Sequence, residues 1–261
     1  MIENSTIQGR MAVVTGASRG IGAAIAGALA KAGWTVALLG RDGDALEAVR
    51  QRILAAGGSA IALKCDVTGR AWVDEAVSQI RRLCGNPAAL INNAGAGGPF
   101  HRTNDVTDAE WDLAFATNVR SAFWFSRAFL PGMRDAGFGR IVNISSVYGL
   151  SGGAESSVYA ATKHALVGYT KSIACEWGKF GVTCNAICPG FVATPMLHTS
   201  GIDQQISSWP GPSGRAGMPE EVAALAAFLV RDEAAFINGA TLAIDGGLSA
   251  GMESVRIMTR R

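Results

Sequence analysis

Apolar residues along this chain fall into short runs separated by longer stretches at helical spacing. Residues 11–14 are an apolar run that ends in Thr-Gly, and 21–32 carry small and apolar residues three and four apart before Gly33. The same alternation predicts strands over 34–39 and 60–64 and helices over 44–56 and 71–84. A fourth strand over 88–91 leads into a long helical stretch from about 108 to 133, broken near Thr117-Asn118. A fifth strand covers 140–144. A long helix over 158–180 is closed by Gly181, and a sixth strand over 182–187 stops at Pro189-Gly190. A helix over 219–230 has proline in its first turn, and 241–244 is the last strand.

Strands alternating with helices at this spacing predict an α/β fold with a parallel sheet covered on both faces. Right-handed crossovers make that sheet doubly wound. The 261 residues suit one domain with a sizeable core, and no linker or internal repeat divides 1–261. Residues 196–217, rich in Gly, Ser and Pro, are expected to form a lid. Residues 249–261 form a tail without a recognisable motif.

Composition narrows the partners. Hydrophobic residues make up 49% and charged residues 17%, an apolar balance that points to a buried subunit interface. A net charge of +2 with no Lys/Arg stripe offers nothing to nucleic acid. No apolar run is long enough to span a bilayer, and residues 1–10 lack the order of a signal peptide. The five cysteines are irregularly spaced, and Cys184-x3-Cys188 has no second pair to complete a zinc site. They are expected to be reduced thiols of a cytoplasmic protein, with no metal.

The glycine pattern Gly16-x3-Gly20-x-Gly22 follows a strand and opens a helix, the setting a dinucleotide turn requires. Glycine lets the backbone approach a pyrophosphate, and the helix N-terminus offers free N–H groups. At the end of the second strand, where an NAD site carries a carboxylate, stands Gly40, followed by Arg41. Arg19 lies in the glycine turn. Two guanidinium groups suit a 2′-phosphate, so NADP(H) is expected over NAD(H), although Asp42 and Asp44 could neutralise Arg41.

At this point the chain closely resembles the short-chain dehydrogenase/reductase family. The matching pieces run in order: TGASRGIG (15–22), CDVT (65–68), NNAG (92–95), TNV (117–119), NISS (143–146), YAATK (159–163), NAICPGFVATPM (185–196) and DGG (245–247). The resemblance covers about residues 10–248. It implies a Rossmann-type fold with about seven parallel strands, and a homotetramer. It also implies that Gly16, Ser18, Arg19, Gly20, Ile21 and Gly22 hold the pyrophosphate side of the cofactor. Asp66 and Val67 would meet the adenine, and Asn93, Ala94 and Gly95 the adenosine ribose. Pro189, Gly190, Val192 and Thr194 would hold the nicotinamide. Each has a plainer structural reading: Asp66 could cap the next helix, and Pro189-Gly190 could simply end a strand.

Tyr159 and Lys163, four apart on a helix, share a face. A neighbouring ammonium favours a phenolate and is expected to lower the Tyr159 pKa toward the working range of a general acid–base group. By the resemblance, Tyr159 protonates a carbonyl oxygen and Ser146 orients it, with Ser145 as the adjacent alternative. Lys163 also binds the nicotinamide ribose, and Asn118 holds a water that relays protons through Lys163. The expected reaction is NADPH-dependent reduction of a ketone to a secondary alcohol. The substrate is a small molecule, walled by Gly97, Phe100, Val147, Tyr148, Leu150, Phe191, Met196, Leu197 and Trp209. These apolar walls favour a small free ketone, as in a carbonyl reductase or alcohol dehydrogenase. The competing readings are a 3-oxoacyl-(acyl carrier protein) reductase and a non-catalytic NADP-binding sensor. Carrier-protein reductases usually show basic residues where this chain has Gly137-Phe138 and Phe180, with Lys179 beside the latter. Assembly is expected through the helix bearing Trp111, Phe115, Phe123, Trp124, Phe125 and Phe129, and through the 158–180 helix, apolar on more than one side.

Overall fold

The computed structural model describes residues 10–200 and 211–250. Seven parallel strands form one sheet: β1 (Met11–Thr15), β2 (Thr35–Gly40), β3 (Ser59–Lys64), β4 (Ala89–Asn92), β5 (Gly139–Ile144), β6 (Val182–Pro189) and β7 (Thr241–Ile244). Their order is β3-β2-β1-β4-β5-β6-β7. The order reverses direction between β1 and β4, whose registered pairs include Val13 with Leu90. That reversal opens a crevice at the carboxyl ends of the strands, where open α/β sheets bind ligands.

The connecting helices are α1 (Gly20–Lys31), α2 (Gly43–Ala55), α3 (Arg70–Cys84), α4 (Asp108–Phe115), α5 (Ser121–Asp135), α6 (Ser157–Trp177), α7 (Pro195–Ser200) and α8 (Pro219–Leu229). Alternate strand residues feed two separate cores. Ala12, Val14, Val36 and Leu38 pack with Ile25, Leu29 and Val222 under α1, α2 and α8. Met11, Val13, Ala37 and Leu39 pack with Val77, Ile80, Phe125 and Phe129 under α3 and α5. Strands buried on both faces read as continuous apolar runs, which is why their pattern was a run and not an alternation.

Three elements add detail to the sequence expectation. The stretch expected as one broken helix over 108–133 is α4 and α5 joined by a π-helical turn, Ala116–Arg120. A Thr107–Glu110 capping box fixes its start. The long helix ends at Trp177, and the remainder to Phe180 is a 3₁₀ turn before Gly181 at φ +77°. The expected lid begins with helix α7, and its far stem pairs Val192 with Gly217 as an isolated bridge. Residues 201–210 of the lid, with Trp209, and 251–261 of the tail lie outside the described residues.

Candidate active site

Thr15 ends β1 and organises the first loop. Its hydroxyl accepts the N–H groups of Asn93 (3.0 Å) and Ala94 (2.9 Å) and donates to the Ile91 carbonyl. Asn93 Nδ2 donates in return to the Thr15 and Gly16 carbonyls at 2.9 and 3.1 Å. The β4 end is therefore stitched to the glycine turn. Gly16 (φ +65°) and Gly20 (φ +56°) take backbone conformations that other residues avoid. A Cβ on Gly22 would overlap the Gly16 carbonyl oxygen and the Asn93 amide. Ser18 borders Gly40 through its Cβ, and Ile21 is half-buried on the first turn of α1.

No side chain caps the N-terminus of α1, so its first turn presents its N–H groups and the positive end of its dipole to the crevice. Neither Arg19 nor Arg41 forms an ion pair among the described residues. Asp42 does not neutralise Arg41 by contact, because its carboxylate caps α2 through the Ala45 N–H at 3.1 Å. A tight turn, an uncapped helix end and two unpaired arginines beside a carboxylate-free Gly40 fit a phosphorylated dinucleotide. Asp66 accepts from the Thr68 N–H (3.0 Å) and hydroxyl (2.8 Å), which with the nearby Arg41 hold its carboxyl below the ordinary value. The carboxylate closes the turn before α3 and does not cap it: the N-cap is Gly69, and no side chain caps the helix. Val67 is buried beside it.

The second half of the site lies at the ends of β5 and β6 and along α6. Ser145 Oγ donates to the Lys163 carbonyl at 3.0 Å and is committed to holding α6. Ser146 instead lies close enough to Tyr159 to lower the phenol's pKa, and its hydroxyl accepts the Tyr148 N–H at 3.2 Å. Of the two serines, Ser146 is the one whose hydroxyl proton is not given to a backbone carbonyl among the described residues. Asn118 is buried in the π turn, where its carboxamide oxygen accepts the Ala96 N–H at 2.8 Å. Its amide donates to the Ala96 carbonyl (3.1 Å) and to Thr162 Oγ1 (3.0 Å). A π turn offsets one residue from the helix's regular facing and so aims this side chain inward. A Cβ on Gly95 would lie 3.4 Å from Asn118 Oδ1 and 3.6 Å from Lys163 Nζ, which places both polar groups around Gly95.

Lys163 is 4% exposed, and its Nζ donates to the Ile144 carbonyl at 2.9 Å. Burial pulls its pKa down from 10.5 to about 8. Nζ lies 5.5 Å from the centre of the Tyr159 ring. The lowering of the Tyr159 pKa expected from this neighbour is not found. Burial pushes the phenol up to about 12, the nearby Ser146 hydroxyl pulls it back, and the Tyr148 and Cys188 side chains raise it. Desolvation sets the direction of the shift, and the Lys163 ammonium is directed at a backbone carbonyl.

Pro189 ends β6, as the plainer reading had it, and Gly190 N–H donates to the Ile244 carbonyl at 3.1 Å. Gly190 is pressed against Asp245, 2.9 Å from where a Cβ would sit. Val192 is buried, and Thr194 Cγ2 would lie 3.3 Å from a Cβ on Gly20, so this loop closes over the glycine turn. Among the expected walls, Phe100 folds back on Gly97, and Tyr148 meets Tyr159 edge to face with ring centres 5.9 Å apart. Val147 opens the same 3₁₀ turn, and Phe191 accepts the Gly217 N–H through its carbonyl. Leu197 is buried, whereas Leu150 and Met196 are 40% and 47% exposed. Among the described residues no group of three or more His, Cys, Asp or Glu side chains is placed to hold a metal, and no helix is long and apolar enough to cross a membrane.

Four participants had escaped the sequence reading. Thr15 and Thr162 lie inside matched motifs, but their hydroxyls act only through the fold. Cys188 lies beside Ser145, Ser146 and Lys163, which offset the upward push that burial gives its thiol. Gly98 packs on the Tyr159 backbone. Cys188 too lies inside a matched motif, whereas Gly98 stands outside all of them.

A family model described as enoyl-(acyl carrier protein) reductase matches residues 16–249. A 3-oxoacyl-(acyl carrier protein) reductase from Pseudomonas aeruginosa is 38% identical over 248 residues, covering 93% of this chain and 98% of that protein. An acetoacetyl-CoA reductase from Shinella zoogloeoides is 39% identical over 245 residues, covering 91% and 98%. A variant of actinorhodin polyketide ketoreductase, solved with NADPH, superposes with a TM-score of 0.88 at 33% identity, covering 94% of this chain and 99% of that one.

Proposed function

This chain belongs to the short-chain dehydrogenase/reductase family, and from that premise we propose that it reduces a ketone to a secondary alcohol with NADPH. The observation that carries the reading is the grouping of Ser146, Tyr159, Lys163 and Asn118 beside an uncapped helix N-terminus. When bound, the nicotinamide supplies the hydride. Ser146 orients the carbonyl oxygen, and Tyr159 holds the proton that this oxygen receives. Lys163 releases the Ile144 carbonyl to hold ribose hydroxyls and to place its ammonium beside the phenolate. Asn118 and Gly95 border the route by which Lys163 recovers a proton from solvent.

Arg19 and Arg41 hold the 2′-phosphate, with Gly16 to Gly22 along the pyrophosphate. Asp66 and Val67 meet the adenine, and Asn93 to Gly95 the ribose. Pro189, Gly190, Val192 and Thr194 hold the nicotinamide. The complete constellation argues against a non-catalytic sensor.

Two carbonyl classes compete. Half-buried and exposed apolar walls suit a small free ketone. The reductases of 3-oxoacyl and acetoacetyl thioesters among the relatives support a 3-oxoacyl thioester at least as well. The position expected to be basic in a carrier-protein reductase is Phe138, clamped between the Arg10 and Arg140 guanidinium groups at 4.0 Å each. Phe180 carries Lys179 over its ring at 5.0 Å, so one cation does stand at the second position.

All five cysteines are free, in keeping with a cytoplasmic enzyme. We also assign it a homotetramer. Trp111, Leu113 and Phe123 are exposed on α4 and α5, and Phe228 and the fully exposed Phe236 near β7. The α6 helix contributes differently from the sequence expectation. Its apolar residues Leu166, Val167 and Ile173 are buried in its own subunit, and its outer face is His164, Gly168, Lys171 and Ser172. Small residues there would let a second helix approach closely.

The test is a panel of free ketones and 3-oxoacyl thioesters followed by NADPH absorbance. Tyr159→Phe should abolish turnover and keep NADPH bound. A variant retaining more than about a hundredth of the wild-type rate would remove Tyr159 from the acid role, because a positioned proton donor contributes roughly 10²–10⁴-fold.

A further inference from the structure

Tyr148 touches both groups expected to act on the carbonyl. Its N–H donates to Ser146 Oγ, which fills an acceptor position on the serine and directs the Ser146 proton elsewhere. Its ring meets that of Tyr159 edge to face, with an interplanar angle of 75°. The hydroxyl-bearing edge of the Tyr148 ring rests on Gly153. A Cβ built there would overlap Cε1 and lie 3.1 Å from both Cζ and the phenolic oxygen.

Gly153 cannot simply withdraw. Its carbonyl accepts the Ser156 N–H at 3.3 Å, immediately before α6. Ser151 is tied to the Val147 carbonyl through its N–H (3.0 Å) and its hydroxyl (3.2 Å). Between them Glu155 holds φ +57°, a left-handed conformation costly for a side-chain-bearing residue. The base of Tyr159 is packed against Gly98. A Cβ on Gly98 would already stand 3.2 Å from Tyr159 Cβ and 3.3 Å from its nitrogen.

We propose that Gly153 is a specificity-determining position that acts through Tyr148. Its missing side chain lets the Tyr148 ring sit where it both braces Tyr159 and sets the width of the substrate entrance. This rests on the reductase reading above. Any side chain at 153 turns the Tyr148 ring, narrows or skews the entrance and disturbs the proton donor. A displacement near 1 Å at a reacting group costs roughly a hundredfold in rate.

The experiment compares wild type, Gly153→Ala, Tyr148→Ala and the double variant on a small and a bulky ketone, with NADPH affinity from fluorescence. Gly153→Ala should lower kcat and change the bulky-to-small ratio of kcat/KM by about tenfold or more, with NADPH affinity unchanged. In the Tyr148→Ala background the same substitution should change that ratio by less than about twofold, because the two residues are coupled through contact. Equal effects in both backgrounds overturn the proposal.

A second measurement does not need turnover. The chain has three tyrosines, so ring-labelled tyrosine NMR can follow each. Gly153→Ala should shift the Tyr148 and Tyr159 ring signals and leave Tyr169 in place. Unmoved Tyr148 and Tyr159 signals overturn the proposal. If wild type is idle with every carbonyl, the reductase reading falls, and the tyrosine signals still decide the role of Gly153.

Discussion

Replacing Lys163 by methionine should destroy activity and stabilise the protein at neutral pH. The ammonium is almost fully buried, and its one hydrogen bond goes to the Ile144 carbonyl. Burial lowers its pKa from 10.5 in the unfolded chain to about 8. That difference corresponds to about 3 kcal/mol of stability. The sign follows from proton counting. Between pH 8 and 10.5 the unfolded state binds the proton and the folded state does not, so stability rises with pH there. Below pH 8 the full cost of burying the charge is present.

Lys163→Met removes that cost and leaves the Ile144 carbonyl without its donor, a loss of about 1–3 kcal/mol. The variant should thus match or exceed wild type at pH 7. Wild type should then gain on it by about 3 kcal/mol as the pH reaches 10.5. Tyr159, pushed up from 10 to about 12, costs both proteins stability above pH 10 and cancels in the difference. Urea denaturation of both proteins from pH 6 to 10.5 measures this directly. A wild-type-minus-variant difference that stays flat across that range would refute the buried ammonium as a destabilising group.

Three further outcomes follow from the same geometry. Arg41→Ala should weaken NADPH binding by about ten- to a hundredfold and NADH binding little, since a charge-assisted contact contributes about 1.5–3 kcal/mol; equal losses in a fluorescence titration would exclude the 2′-phosphate contact. Gly22→Ala should lose cofactor binding and lower the melting temperature, because its Cβ would overlap the Gly16 carbonyl and the Asn93 amide that ties the turn to β4; wild-type affinity by calorimetry would show that this stitch is dispensable. Phe236→Asp should reduce the mass seen by light scattering to that of a smaller assembly, since a charge there opposes burial of a fully exposed apolar ring; an unchanged mass would place the interface elsewhere.

The order of strands and helices was legible in the sequence because periodicity is a local property. Runs such as 35–39 and 141–144 are buried on both faces, and only a parallel sheet covered by helices does that to strands. The family motifs likewise pointed to Tyr159, Lys163 and Asn118, which the fold brings to one crevice, and the break expected near Thr117-Asn118 coincides with the π turn Ala116–Arg120. Tertiary structure decided what these groups face. Separation from Tyr159 favoured Ser146 over its neighbour, and the fold shows why Ser145 is unavailable: it spends its hydroxyl on α6. Asp42 beside Arg41 looked like a neutralising charge until the α2 N-terminus claimed it. The Tyr159 pKa went up and not down, because desolvation depends on everything packed around a group and not on its neighbour four residues along. The restraint of Tyr159 by Gly98 and by the Tyr148 ring joins residues far apart along the chain, and an absent side chain has no meaning until the fold brings something against it.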